Sequence, residues 1–247
     1  MVGIGEIASG ISIAKEGYSV FKFFRKKSLK FFTKESLPLD WFKDQEVTII
    51  CSSLFAPLHN QSQNYYSLFK PYSNDNVVPV GSGFFVTGIY DTLALSKLSI
   101  AFVEKGAVLS IGIDTIKDDI KEDNLCLLGG PSSNSIGKEL YEEFIPQKYH
   151  FYTPEGGLRV HGNTFNGGQY GYILSMTNPW NKNKKILWLA GLGPFGTGSA
   201  VDFLINNFKD KAPNELTKEK EWILFIQGVA DEKGDITSIN PIGHIVL

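Results

Sequence analysis

The sequence predicts an α/β domain: a mainly parallel sheet with helices on both faces, closed by a C-terminal antiparallel hairpin and preceded by an amphipathic helical segment. Three observations carry this. Short apolar, β-branched runs alternate with stretches of helical period. Two of those runs break off in glycine-rich turns that lead straight into a helix. Residues 221–229 and 236–246 are strand-like and flank Asp231-Glu232-Lys233-Gly234-Asp235, the pattern of a hairpin. With 247 residues, 43% hydrophobic and 20% charged, the chain suits one globular domain plus an accessory segment.

Residues 1–36 form the accessory segment, and the α/β domain occupies 37–247. Over residues 1–34 seven cations (Lys15, Lys22, Arg25, Lys26, Lys27, Lys30, Lys34) face two acids (Glu6, Glu16), a local charge of +5. Ile4, Ile7, Ile11, Ala14, Tyr18 and Phe21 step by three and four residues, drawing one seam along a helix. Gly3, Gly10 and Gly17 recur every seven residues on a second line. Aromatics stand beside cations from Phe21 to Phe32. Three roles fit: packing on the segment's own domain, self-association through the seam, or contact with an anionic membrane surface. Glu6, Lys15 and Glu16 interrupt any simple transmembrane run, and no secretory cleavage pattern follows it.

The domain elements follow in order. Pro38-Leu39-Asp40-Trp41 marks its start, and Glu46–Cys51 reads as the first strand. Residues 56–82, rich in Pro, Asn, Ser and Tyr, read as a long loop with a short helix at Tyr65–Phe69. Asp91-Thr92 can cap a helix to about Glu104, burying Leu93, Leu95, Leu98, Ile100 and Phe102. Ala107–Ile113 is a strand, 114–123 a charged turn, Asn124–Leu128 a second apolar strand and Ser133–Phe144 a helix. Tyr170–Met176 and Lys185–Ala190 are further strands, with a helix over Thr197–Phe208.

Two glycine turns hold the candidate site. After Leu127-Leu128 comes Gly129-Gly130-Pro131-Ser132-Ser133-Asn134, then a helix. Glycines at a strand's carboxyl end let a ligand approach the backbone, and free N–H groups at a helix start attract anions such as phosphate. Ser132 or Ser133 can cap the helix, and Asn134 can read a ribose or base edge. The second turn repeats the grammar: Gly191, Gly193 and Gly196 spell GxGxxG and Thr197 follows. The same spacing also serves a plain tight turn.

The pair Gly129-Gly130-Pro131 and Gly193-Pro194-Phe195-Gly196-Thr197 resembles the loops of the SLOG group, Rossmann-like proteins related to the LOG phosphoribohydrolases and to nucleotide sensors. The Gly-(Gly/Ser)-Pro-x-x-Asn loop is also similar to that of a scattered group of uncharacterised bacterial proteins. This resemblance spans about residues 120–210 and implies a Rossmann-like fold and a nucleotide or NAD-like ligand, in a bacterial signalling or defence setting. The LOG enzymes carry a glutamate three residues after the Gly-Thr pair. Here Ala200 stands at that position and Asp202 is the nearest acid, a departure that bears on hydrolysis rather than on binding.

The remaining inventory narrows the classes. A net charge of −2 gives no bulk attraction to nucleic acid. Cys51 and Cys126 form no CxxC pair, which disfavours a disulfide framework or cysteine zinc cluster and suits a reducing cytosol. His59, His150, His161 and His244 lack metal-site spacing, so no metal is expected. No GxSxG elbow or P-loop occurs. The glycine-rich stretch 154–171 can act as a lid that brings Arg159 to a phosphate. Asn178 and Trp180 follow a strand end and can meet a base. Glu155 and Asp202 are the first candidate catalytic acids, with Asp91 and Asp114 behind them. The leading expectation is a cytoplasmic sensor that binds a nucleotide or NAD-like ligand at the paired turns and self-associates through the N-terminal helix. The alternatives are a nucleotide or NAD N-glycosidic hydrolase and a membrane-acting effector.

Overall fold

The computed structural model describes residues 37–51, 54–55, 77–80, 85–113, 118–216, 221–232 and 234–247. The expected N-terminal helix, the short helix at Tyr65–Phe69, His59 and Asp114 lie outside the described residues.

Seven strands form the central sheet: β1 (Glu46–Cys51), β2 (Val108–Ile113), β3 (Leu125–Leu128), β4 (Tyr170–Thr177), β5 (Lys185–Gly191), β6 (Trp222–Ala230) and β7 (Ile236–Val246). Their order is β7-β6-β4-β5-β3-β1-β2. β5, β3, β1 and β2 pair in parallel, whereas β4 is antiparallel to both β5 and β6. β6 and β7 form the expected antiparallel hairpin. The sheet is therefore mixed, with a four-stranded parallel half, and the expectation of a mainly parallel sheet is corrected. The reason is connection length. A parallel return needs a crossover of a dozen or more residues, and only Asn178–Lys184 separates β4 from β5.

Strand burial explains why these runs are apolar. β3 is buried throughout, and β4 and β5 are buried at every interior position. Alternate residues feed two cores. One packs Val47, Ile49, Cys126, Leu128, Leu187 and Leu189 beneath helices α1 (Ile89–Glu104) and α3 (Pro194–Asp202). The other packs Ile50, Leu125, Leu127, Trp188, Tyr172 and Phe225 beneath helix α2 (Ser135–Glu139), whose π-helical continuation ends at Phe144. A hairpin of Leu158–Val160 and Asn163–Phe165 also sits on this second face through Leu158 and Val160.

Several boundaries differ from expectation. Val77–Val80, assigned to the long loop, is a strand that pairs with Phe85–Gly88, which also pairs with Leu54–Phe55. α1 begins two residues before Asp91, and it buries Ala94, Leu98, Ala101 and Phe102 while Leu93 stays exposed. The small alanines face the sheet, so the stripe is shifted from the larger leucine positions. α3 begins at Pro194 rather than Thr197, proline being compatible with a first helical position.

Candidate functional site

The two glycine turns stand at the carboxyl ends of adjacent parallel strands. β3 pairs with β5 through Leu125↔Ile186 to Leu128↔Leu189. The register continues into the turn, where Gly129 N–H donates to Leu189 O at 3.0 Å. A Cβ built on Gly130 would lie 3.5 Å from the Gly191 carbonyl oxygen. From this shared edge the chain leaves in opposite directions. α2 follows β3 onto the face lined by Trp188, and α3 follows β5 onto the face lined by Leu189. Adjacent parallel strands whose connections pass to opposite faces define a topological switch point, where open α/β sheets form a crevice.

The helix starts are not equivalent. Asn134, rather than Ser132 or Ser133, caps α2. Its Oδ1 accepts from Gly137 N–H at 2.9 Å. Its amide donates to Ile50 O at 3.3 Å and Leu128 O at 3.2 Å, bridging the ends of β1 and β3. The side chain is 1% exposed and fully engaged within the protein, so the expected ribose or base contact does not suit it. Ser133 Oγ donates to Gly130 O at 3.2 Å within the turn, Ser132 is exposed and Pro131 is half-buried.

α3 has no side-chain cap, because its N-cap residue is Gly193. Thr197 N–H and Oγ1 both turn back to Gly193 O, at 3.1 Å and 3.5 Å. Among the described residues, no hydrogen bond engages the N–H of Gly130, Gly193 or Gly196. All three glycines are buried. Buried backbone donors are ordinarily paired, so unpaired ones at a crevice are places for water or ligand oxygen.

The glycines of the second turn also serve close packing. A Cβ on Gly191 would come within 2.6 Å of the Gly196 backbone, and one on Gly196 would overlap the Tyr170 carbonyl oxygen. Tyr170 and Gly171 reach this edge because β4 runs antiparallel, so its first residues meet the end of β5. The two turns are bordered on the α2 side by aromatic residues. Trp188 Nε1–H donates to Gly129 O at 2.7 Å. Tyr152 places its hydroxyl 3.3 Å from the Cβ position of Gly130 and hydrogen-bonds to Tyr172 at 3.2 Å. Sequence reasoning missed Tyr152, Tyr170 and Trp188; of these only Trp188, next to the glycine turn in β5, carried a local signal.

Other nominated residues lie elsewhere. Asp202 ends α3 and pairs with Lys97 of α1 at 2.7 Å. Glu155 is exposed in the turn that closes from Gly157 N–H to Thr153 Oγ1. Arg159 points outward between buried Leu158 and Val160, and among the described residues no hydrogen bond or ion pair brings its guanidinium to either turn. Those two anchors seat the 158–165 hairpin in the second core, unlike a hinged lid. Asn178 and Trp180 follow β4 and so lie at the opposite edge of the sheet. The Asn178 amide donates to Lys121 O at 2.7 Å and Asp123 O at 2.8 Å.

A thiol and a carboxylate stand at the end of β1. Burial pushes the Cys51 thiol up to about 12, with the Asp91 carboxylate of the first turn of α1 adding to the rise. Cys51 is thus a protonated thiol and a poor nucleophile near neutral pH. Among the described residues no group of three or more His, Cys, Asp or Glu could hold a metal ion. Nor, among them, is any helix long and apolar enough to cross a membrane. The chain matches no protein-family model and no curated protein.

Proposed function

We propose that the chain is a binding module whose parallel half works in Rossmann-like fashion, gripping a phosphate-bearing ligand of nucleotide or NAD type at the β3–β5 crevice. The observation that carries this reading is the start of α3, which has no side-chain cap, together with the N–H groups of Gly130, Gly193 and Gly196, which find no hydrogen-bond partner among the described residues. An anion there would pair with backbone donors and with the positive end of the helix dipole. The disposition of the carboxylates favours binding over glycosidic hydrolysis: Asp202 is tied to Lys97, and Glu155 is exposed on a surface turn. The cationic segment 1–36 supplies the coupling in this reading, self-associating through its apolar seam when the crevice is filled.

Isothermal titration of the full chain against nucleoside mono-, di- and triphosphates, cyclic dinucleotides and ADP-ribose tests the reading. One class should bind, and Gly130→Ala should weaken it by about tenfold, because the added methyl narrows the crevice without forcing a left-handed backbone. Sedimentation velocity with and without that ligand should show a larger species only when it is present. A folded protein that gives no heat with any of them would overturn the proposal.

A further inference from the structure

We infer that β2 is the docking edge for a second copy of this chain, the two strands pairing antiparallel about a two-fold axis at Ser110. β2 ends the sheet, and among the described residues it pairs only with β1. Val108 N–H donates to Gln45 O at 2.9 Å, so Val108, Ser110 and Gly112 turn their backbone groups toward β1. Successive residues of a strand aim these groups to opposite sides, so the N–H and C=O of Leu109 and Ile111 face outward. Such a row of donors and acceptors is a template for another strand. Its side chains suit one as well. Val108 and Ile111 are 63% and 60% exposed, and α1, which leads into β2 through Lys105-Gly106, exposes Leu93 and Val103.

The two edges of the sheet are built differently. β7 carries Pro241, and its pairing with β6 shifts register after Phe225 and again after Val229. Proline and bulges are devices that keep an edge from recruiting a strand. β2 has neither. Its register with β1 is unbroken from Val108 to Ile113, and the run Val-Leu-Ser-Ile-Gly-Ile contains no charge and no proline.

The occupant is a second copy because the strand complements itself. Outward-facing residues must oppose outward-facing residues, so a two-fold axis falls on a residue and not between two. At Ser110 it sets Ser110 against its own copy, Leu109 against Ile111 and Val108 against Gly112. Ile111 is then covered by Leu109, which already packs on the core beneath α1. Val108 falls opposite a glycine, which has no side chain to crowd it. An axis at Ile111 would instead carry Val108 past the end of the facing strand. Within the strand pair no like charges meet, whereas an edge made for a charged peptide would carry charge of its own. This dimer needs no ligand, so it stands apart from the crevice reading, and ligand-driven assembly adds to it.

Sedimentation velocity of the full chain without ligand should show a dimer at about 50 µM, as a micromolar dissociation constant gives. Ser110→Lys and Ser110→Asp each set two like charges face to face, and each should weaken the dimer by about tenfold or more. Ser110 is exposed, so both variants should fold. An equimolar mixture of the two should restore the dimer, because lysine then opposes aspartate. A monomeric wild type, a dimer that survives both substitutions, or a mixture that stays monomeric would overturn the inference. Amide hydrogen exchange of wild type needs no variant. The Leu109 and Ile111 protons should exchange about tenfold more slowly in a concentrated sample than in one diluted below the dissociation constant. The Ser110 proton, directed at β1, should not change. Leu109 and Ile111 rates independent of concentration would also overturn it.

Discussion

At the residue scale, Asn134 does two jobs that a helix cap does not usually combine. Its oxygen caps α2 and its amide bridges two strand ends. Asn134→Ala removes the cap and leaves two strand-end carbonyls without that partner, so unfolding stability should fall by about 2–3 kcal/mol in urea melts. Asn134→Asp separates the two jobs. Aspartate caps a helix as well as asparagine does, but here it would turn an anionic oxygen on Ile50 O and Leu128 O. That variant should therefore be at least as destabilised as the alanine; an aspartate protein as stable as wild type would refute the bridging role. The GxGxxG glycines teach a related lesson. Gly196 is required by the contact of α3 with Tyr170 of β4, and Gly191 by the contact of β5 with the start of α3, whether or not a ligand is present. Their spacing was legible in the chain, and the packing reason for it was not, because Tyr170 is remote in sequence.

At the scale of elements, β4 decides the layout. Its reversal sends Asn178 and Trp180 to the far end of the sheet and delivers Tyr170 and Gly171 to the second glycine turn. The seven residues of Asn178–Lys184 were the available signal, too few for a helical crossover. The helix pair offers a second contrast. Lys97 and Asp202 tie α1 to α3, but Lys97 is 49% exposed, so water screens the pair. Asp202→Asn should cost less than about 1 kcal/mol in denaturant melts. In the crevice reading it should also leave ligand affinity unchanged within about twofold. A large loss of affinity in this variant would return Asp202 to the site.

At the scale of the whole molecule, the buried acids set a pH response. Cys51 is pushed up to about 12, and Cys126, Tyr152 and Tyr172 are also raised, burial being the leading cause for each. The native state keeps these protons at pH values where the unfolded chain has released them. Above the unfolded thiol value, the unfolded state therefore binds fewer protons, and stability falls as pH rises. The slope begins near pH 8.5–9 with the cysteines and steepens near 10 with the tyrosines, by up to about 1.4 kcal/mol per pH unit for each group. Urea melts at pH 7, 9 and 10.5 should show it; a flat response would mean these groups are more solvated than their packing implies. Thiol labelling of the native protein at pH 8 should be correspondingly slow.

Local chemistry determined much of this protein. Apolar runs marked every strand of the central sheet, and burial on both faces is what demands them in β3, β4 and β5. The two strand-to-helix turns were also readable, because each carries its own glycines, while their adjacency comes from the pairing of β3 with β5. Tertiary structure alone decided the face each helix takes and which side chains stand at the glycine turns. Those depend on long-range pairing and on packing partners distant in the chain, as with Tyr152 above Gly130 and Asn134 across β1 and β3. A sequence records what each segment must bury, and only the assembled sheet assigns the neighbours that bury it.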